Sequence, residues 1–94
     1  MAVRKMKRKP KFISIGAGNA VSVDRIVSMI QPDSAPSKRL MQEARSKGLL
    51  VDATGGKKTK SIFIMDSDHV VISALSVETA LARIEENDDE ASEG

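Results

Sequence analysis

Apolar residues occur in short clusters separated by Gly, Pro, Asn and Asp, and the spacing inside each cluster predicts its form. Phe12, Ile13, Ser14 and Ile15 read as a short strand closed by Gly16. The Gly16-Ala17-Gly18-Asn19 stretch that follows reads as a turn, because Gly and Asn tolerate positive φ. Arg25 to Ile30 is rich in β-branched residues and stops before Pro32, which predicts a second strand. Asp33-Ser34-Ala35-Pro36 signals a helix start: Ser34 can cap, and a proline in the first turn has no bond to lose. Leu40, Met41 and Ala44 share one helical face and Gly48 is a natural stop, so a helix is expected over about 35 to 47.

Leu49 to Thr54 and Lys60 to Met65 read as two strands, joined as a hairpin through Gly55-Gly56. Asp66-Ser67-Asp68 makes another turn. His69 to Ala74 then predicts a strand whose unbroken Val70-Val71-Ile72 run belongs at the buried centre of the sheet. Ser76 can cap a last helix, with Glu78 near its positive end and Val77, Ala80, Leu81 and Ile84 as its apolar stripe. The order β-β-α-β-β-β-α defines an α+β fold, a small and largely antiparallel sheet with two helices.

Charge divides the chain into three parts. Residues 1 to 10, with Arg4, Lys5, Lys7, Arg8 and Lys9, form a basic arm with too few apolar side chains to order it, and Lys11 continues the charge. Residues 85 to 94 carry Glu85, Glu86, Asp88, Asp89, Glu90 and Glu93 and are expected to be a disordered acidic tail. These two runs nearly cancel, so the formal net charge is only +2, while residues 12 to 84 hold nine Lys or Arg against seven Asp or Glu. The expected folded domain is therefore 11 to 84.

That domain has no cysteine, which removes disulfides and most structural zinc sites. Domains this small gain only about 3 to 5 kcal/mol from one core, so self-association is the expected remedy. No apolar run approaches a membrane span and no signal-peptide pattern opens the chain, so a cytoplasmic location is expected, with no membrane partner.

The stretch with the most chemical content is Gly55-Gly56-Lys57-Lys58-Thr59-Lys60. Three ammonium groups on a stiff turn repel one another unless a polyanion lies nearby, and a phosphate backbone is such a partner. The plain alternative, a solvated loop tip, carries equal weight on sequence alone. The glycine spacing of a nucleotide-binding loop is missing before Gly56-Lys57. Arg25 follows Asp24 and could form an ordinary surface ion pair. Asp66, Asp68 and His69 hint at a metal, but Asp-Ser-Asp is common turn composition and a single imidazole supplies too few ligands, so neither metal nor cofactor is expected. No nucleophile, base and carboxylate stand in a reacting pattern, so catalysis is not expected. With both phenylalanines, Phe12 and Phe63, expected inside, no aromatic is left to stack on unpaired bases, which favours duplex DNA over single-stranded RNA.

These residues also resemble a known bacterial family, the RemA-like extracellular matrix regulators. The match begins at Lys11-Phe12-Ile13-Ser14-Ile15-Gly16 with Gly18-Asn19 and continues through Val21-Ser22 and Arg25-Ile26. It takes in Pro32-Asp33-Ser34-Ala35-Pro36, Lys38-Arg39, Gln42-Glu43-Ala44-Arg45 and Val51-Asp52-Ala53-Thr54, and ends with Asp66-Ser67-Asp68-His69-Val70 and Glu78-Thr79. The resemblance implies a transcriptional activator of matrix genes, associated with the nucleoid and similar in fold to LytTR-type DNA-binding domains. It further implies a homo-oligomeric ring of about seven or eight subunits on double-stranded DNA. Within it, Arg25, Lys57 and Lys58, with Lys60 nearby, take the DNA-binding positions. Lysines stand at loop positions where the family usually has arginines, which keeps the charge and loses the planar fork. Gly55 and Ala17 fall where the family commonly has an aromatic. Two other classes stay open: a structural protein that self-associates through its charged ends, and an RNA-binding accessory protein.

Overall fold

The computed structural model describes residues 11 to 93, and the side chains of 11 to 86. The expected basic arm, 1 to 10, lies outside the described residues.

Strand β1 (Phe12–Gly16) turns back into β2 (Asn19–Ser22) as an antiparallel hairpin with Ile13 opposite Val21. Its turn takes three consecutive residues into positive φ, Gly16 at +96°, Ala17 at +55° and Gly18 at +78°. The strand β2 was not expected, since Asn-Ala-Val-Ser has little strand propensity of its own. The hairpin pairing holds it in place. A single 3-10 turn (Val23–Arg25) then leads into β3 (Ile26–Ile30), which takes up most of the second strand expected from the sequence.

Helix α1 (Ala35–Ser46) begins as its capping signal requires: Ser34 Oγ accepts from the Ser37 amide at 3.2 Å, with a proline in the first turn. Ser37 in turn donates to the Gln31 carbonyl at 2.6 Å and pins the loop that precedes the helix. The helix closes at Gly48, φ +74°, where the Leu49 amide donates to the Ala44 carbonyl at 2.8 Å.

Strands β4 (Leu50–Ala53), β5 (Ser61–Met65) and β6 (Val70–Ser73) join β3 in a four-stranded sheet of order β3-β5-β6-β4. Here the expected Gly55-Gly56 hairpin is corrected. β4 pairs with β6, in parallel, while β5 pairs antiparallel with β3 and β6. The reason lies in β6, whose four residues are all buried; so apolar a strand is stable only with a neighbour on each edge. Residues 54 to 60 therefore cross over the end of β6, and the Lys60 amide donates to the Ser73 carbonyl at 2.7 Å. The β5–β6 connection is a tight turn as expected, with Asp68 at φ +74°.

Helix α2 (Val77–Glu93) starts on Ser76, whose Oγ accepts from the Thr79 amide at 3.1 Å. It continues through the acidic segment expected to lack structure, because no Gly or Pro interrupts the run before Gly94. Of its expected stripe, Ala80 is fully buried and Ile84 packs on the core, but Leu81 points outward and is 45% exposed.

The strand period of two sorts the sheet's side chains onto two faces. Ile62, Ile64, Val70 and Ile72 meet Leu40, Met41 and Ala44 of α1. Phe63, Val71 and Ala53 meet Ile13, Ile15 and Val21 of the hairpin and Ala80 of α2. The result is three layers, with the sheet in the middle. Two polar ties secure the hairpin and α2: buried Ser73 Oγ donates to the Ile15 carbonyl at 2.6 Å, and Arg83 donates to the Ser14 carbonyl at 2.8 Å. The expectation that both phenylalanines are inside is half corrected. Phe63 is fully buried, whereas Phe12 alternates with buried Ile13 and is 60% exposed.

Phe63→Ala is expected to lower unfolding stability by about 3 to 5 kcal/mol, the cost of an aromatic-sized hole. Phe12→Ala should cost under about 1 kcal/mol. Urea unfolding of the two variants checks the difference.

Candidate nucleic-acid interface

The crossover loop is built from β4 outward. The Asp52 carboxylate Oδ1 accepts from the Thr54 hydroxyl at 2.6 Å and from the Thr54 amide at 3.0 Å. Thr54 Oγ1 accepts from the Gly56 amide at 3.2 Å, and the Thr54 carbonyl accepts from the Lys57 amide at 3.2 Å. Thr54 is buried and Asp52 is at the surface, so the carboxylate works as an outside clamp on an inside residue. The Thr54 hydroxyl, then the Thr54 amide, hold the Asp52 carboxyl below its ordinary 3.8, with help from the Arg45 charge and against a small opposing effect of desolvation.

A second support comes from the hairpin turn. Gly55 sits at φ +65°, and a Cβ built on it would lie 2.9 Å from the Ala17 Cβ. Only glycine fits this contact without a shift. The clamp below and the β1–β2 turn beside it together settle the path of the loop.

The outcome is a cleft of about 680 Å³ at the end of the sheet. Ile15, Ala53 and Leu75 are among its apolar lining, Gly16, Ala17 and Gly55 contribute turn backbone, and Lys57, Lys58 and Lys60 stand in its wall. All three lysines are exposed, no carboxylate lines the cleft, and among the described residues none of them has an ion pair. Lys58 and Lys60 also border a smaller hollow with Asp33 and Ser76.

Arg25 is elsewhere. Its carbonyl accepts from the Asp66 amide at 2.9 Å, and its guanidinium Nη1 lies 3.1 Å from Asp66 Oδ2. Since Ile26 is opposite Met65 and Lys60 precedes Ser61, the five-residue strand β5 separates the two cationic positions. That is roughly 17 Å along the strand. The Arg25 pair is exposed on both sides, a class of contact worth about 0 to 1 kcal/mol, so the guanidinium can exchange this carboxylate for another anion. The structure thus brings the three lysines to one rim and leaves Arg25 at the other end of the sheet.

Asp66, Asp68 and His69 follow a turn geometry: the Asp68 amide donates to the Met65 carbonyl at 3.0 Å, and Ser67 Oγ and His69 Nδ1 are 2.8 Å apart. Among the described residues no three His, Asp or Glu side chains converge as metal ligands. Asp52 and Thr54 do not stand out in the sequence as site residues. The Asp-x-Thr-x-Gly spacing, one residue between each polar group and the amide it accepts from, is the signal that marks them.

The fold and the loop define a small α+β domain with a basic crossover loop over a cleft. The RemA-like family, extracellular matrix regulatory protein A-like, matches residues 12–84, and the chain belongs to this family of regulators. Similar proteins are named "Putative regulatory protein". The one from Geobacillus sp. strain WCH70 is 52% identical over 84 residues, 89% of this chain and 97% of the relative. The one from Carboxydothermus hydrogenoformans is 54% identical over 82 residues, 85% and 94% of the two chains. That from Clostridium acetobutylicum is 51% identical over 79 residues, 84% of this chain and 86% of its own. These names denote regulators and not enzymes. Among the described residues no helix is long and apolar enough to cross a membrane.

The clamp predicts a pH response with a definite sign. A carboxyl whose folded pKa is depressed adds stability above its unfolded value and loses it as pH falls through the folded one. Hydrogen exchange at Gly56 and Lys57 should therefore be slow at neutral pH, and the loop should loosen only below about 3.8. At neutral pH, Asp52→Ala should speed exchange at these amides by roughly five- to tenfold, while Asp52→Asn, which keeps an accepting oxygen, should leave it within about twofold. NMR exchange measurements decide both points.

Proposed function

We propose that this protein is a duplex DNA-binding transcriptional regulator that acts as a homo-oligomer closed into a ring. The observation that carries the reading is the rim of Lys57, Lys58 and Lys60, exposed and without ion pairs among the described residues, on a loop clamped in one conformation. Fixed cations lose less entropy on meeting phosphates than lysines on a floppy segment do. Arg25 extends the contact. One face of a duplex meets a backbone crossing about every half turn, roughly 17 Å, which is the separation of the two cationic positions along β5.

A patch this small holds only a few phosphates, so repetition supplies the affinity. Support for self-association comes from the sheet edges. Val27 on β3 is 66% exposed and Val51 on β4 is 44% exposed, and neither edge strand carries a lysine or proline to discourage pairing. The two edges differ, so contact between them is heterologous, the kind that generates rings. Sequence preference then follows from the ease of bending the duplex, since lysine contacts to phosphates carry no base readout of their own.

Phe12 weakens one argument for duplex over single strands, because it is exposed. It stands at the far end of β1 from the cleft, about 13 Å from Gly16, and so offers no stacking platform beside the lysines.

Lys58→Ala and Arg25→Ala are each expected to reduce duplex affinity by at least tenfold at physiological salt. Each should also flatten the slope of log K against log salt by about 0.9 for every phosphate left without its cation. Unchanged binding in both across a salt series would remove this surface from the reading. Val27→Glu should convert the oligomer to monomer in sedimentation and weaken duplex binding with it. Preference for structured RNA over duplex in direct competition would support an RNA-binding accessory role instead.

A further inference from the structure

A phosphodiester track needs only the lysine rim. The cleft behind that rim, about 680 Å³, has Ala17, Ala74 and Leu75 at its surface, with buried Ile15 and Ala53 beneath them, and is left unused by a duplex passing outside. We propose that this cleft binds a small phosphate ester of mononucleotide size. The phosphate sits against Lys57 and Lys58, and the planar or apolar remainder covers Ala17, Ala74 and Leu75.

Three features argue for it. The volume is within the roughly 300 to 1,000 Å³ of small-molecule sites, and such sites combine an apolar lining with a few convergent polar groups. The charge in the lining is all of one sign, which suits an anion and repels a cation. The walls are preformed: buried Thr54 and the Gly55–Ala17 contact hold the loop and hairpin turn at fixed separation, so binding spends little on ordering. Inorganic phosphate alone would leave the apolar lining uncovered, and a neutral apolar compound would leave the lysines unmatched.

The binding stands on the cleft's own geometry. Its consequence rests on the duplex reading: a phosphate ester in the cleft occupies the ammonium groups that the DNA backbone uses, so the two compete. At ten times its Kd such a ligand would weaken duplex binding about elevenfold, if occupancy and duplex contact exclude one another.

The test uses the full-length chain, titrated calorimetrically with AMP, GMP and inorganic phosphate, with duplex binding measured in parallel. The expected result is one nucleotide per protomer, bound at least tenfold tighter than inorganic phosphate. Ala74→Met, which fills the cleft from its lining without altering a lysine, should abolish nucleotide binding and keep duplex affinity within about threefold. Lys58→Ala should weaken both. The proposal is overturned if inorganic phosphate binds as tightly as the nucleotides, if neither nucleotide binds at millimolar concentration, or if folded Ala74→Met binds them undiminished. Should Ala74→Met not fold, methyl NMR of the parent chain decides: nucleotide must shift the Ala17, Ala74 and Leu75 methyl signals, and shifts confined to the lysine loop reject the site. Nucleotide binding with these responses, in a chain that ignores duplex DNA, would keep the cleft and discard the DNA reading.

Discussion

The parallel pairing of β4 with β6 governs the placement of everything of functional interest. β6 is buried along its length and is sealed by β5 on one edge and β4 on the other. A chain that leaves β4 and must enter β5 beyond β6 has to travel across the end of the sheet. Residues 54 to 60 make that crossing, and three of them are lysines. Had the two strands formed a hairpin, the same lysines would have stood at a free tip, with no cleft behind them. Burial of Val70, Val71 and Ile72 thus decides where the positive charge is displayed.

The crossing also explains why the loop is polar outside and ordered inside. Its backbone donors at 54, 56 and 57 are satisfied by Asp52 and Thr54, so the segment needs no ladder to stay in one shape. A surface carboxylate beside a basic loop looks like a liability for binding an anion. Here both its bonds go to Thr54, and the Arg45 charge adds a lesser lowering of its pKa. The chain accepts some local negative potential in return for fixed cations.

Much of this was legible in the residues. Ser34 with Pro36, Gly48, Asp66-Ser67-Asp68 and the Val70 to Ile72 run each act through local chemistry, and each produced the element expected of it. What failed depended on pairing and packing partners that composition alone does not reveal. Gly55-Gly56 has the composition of a hairpin turn, yet β4 gains more by covering β6 than by returning on β5. The β2 strand exists because β1 precedes it, and Leu81 faces outward because Ala80 and Ile84 suffice to dock the helix. For the candidate site, the lysines were visible as a run of charge. Their cleft was not, since it joins Ile15, Ala53 and Leu75 from three separate segments, and neither was the distance from them to Arg25.

The contact between Gly55 and Ala17 has an evolutionary corollary. With no room for one methyl group between them, the two positions share a single packing volume although they are far apart along the chain. A lineage that carries larger side chains at these positions must hold the hairpin turn and the crossover loop farther apart. Substitutions there should be inherited in pairs, and the width of the cleft should drift with whichever pair a descendant retains.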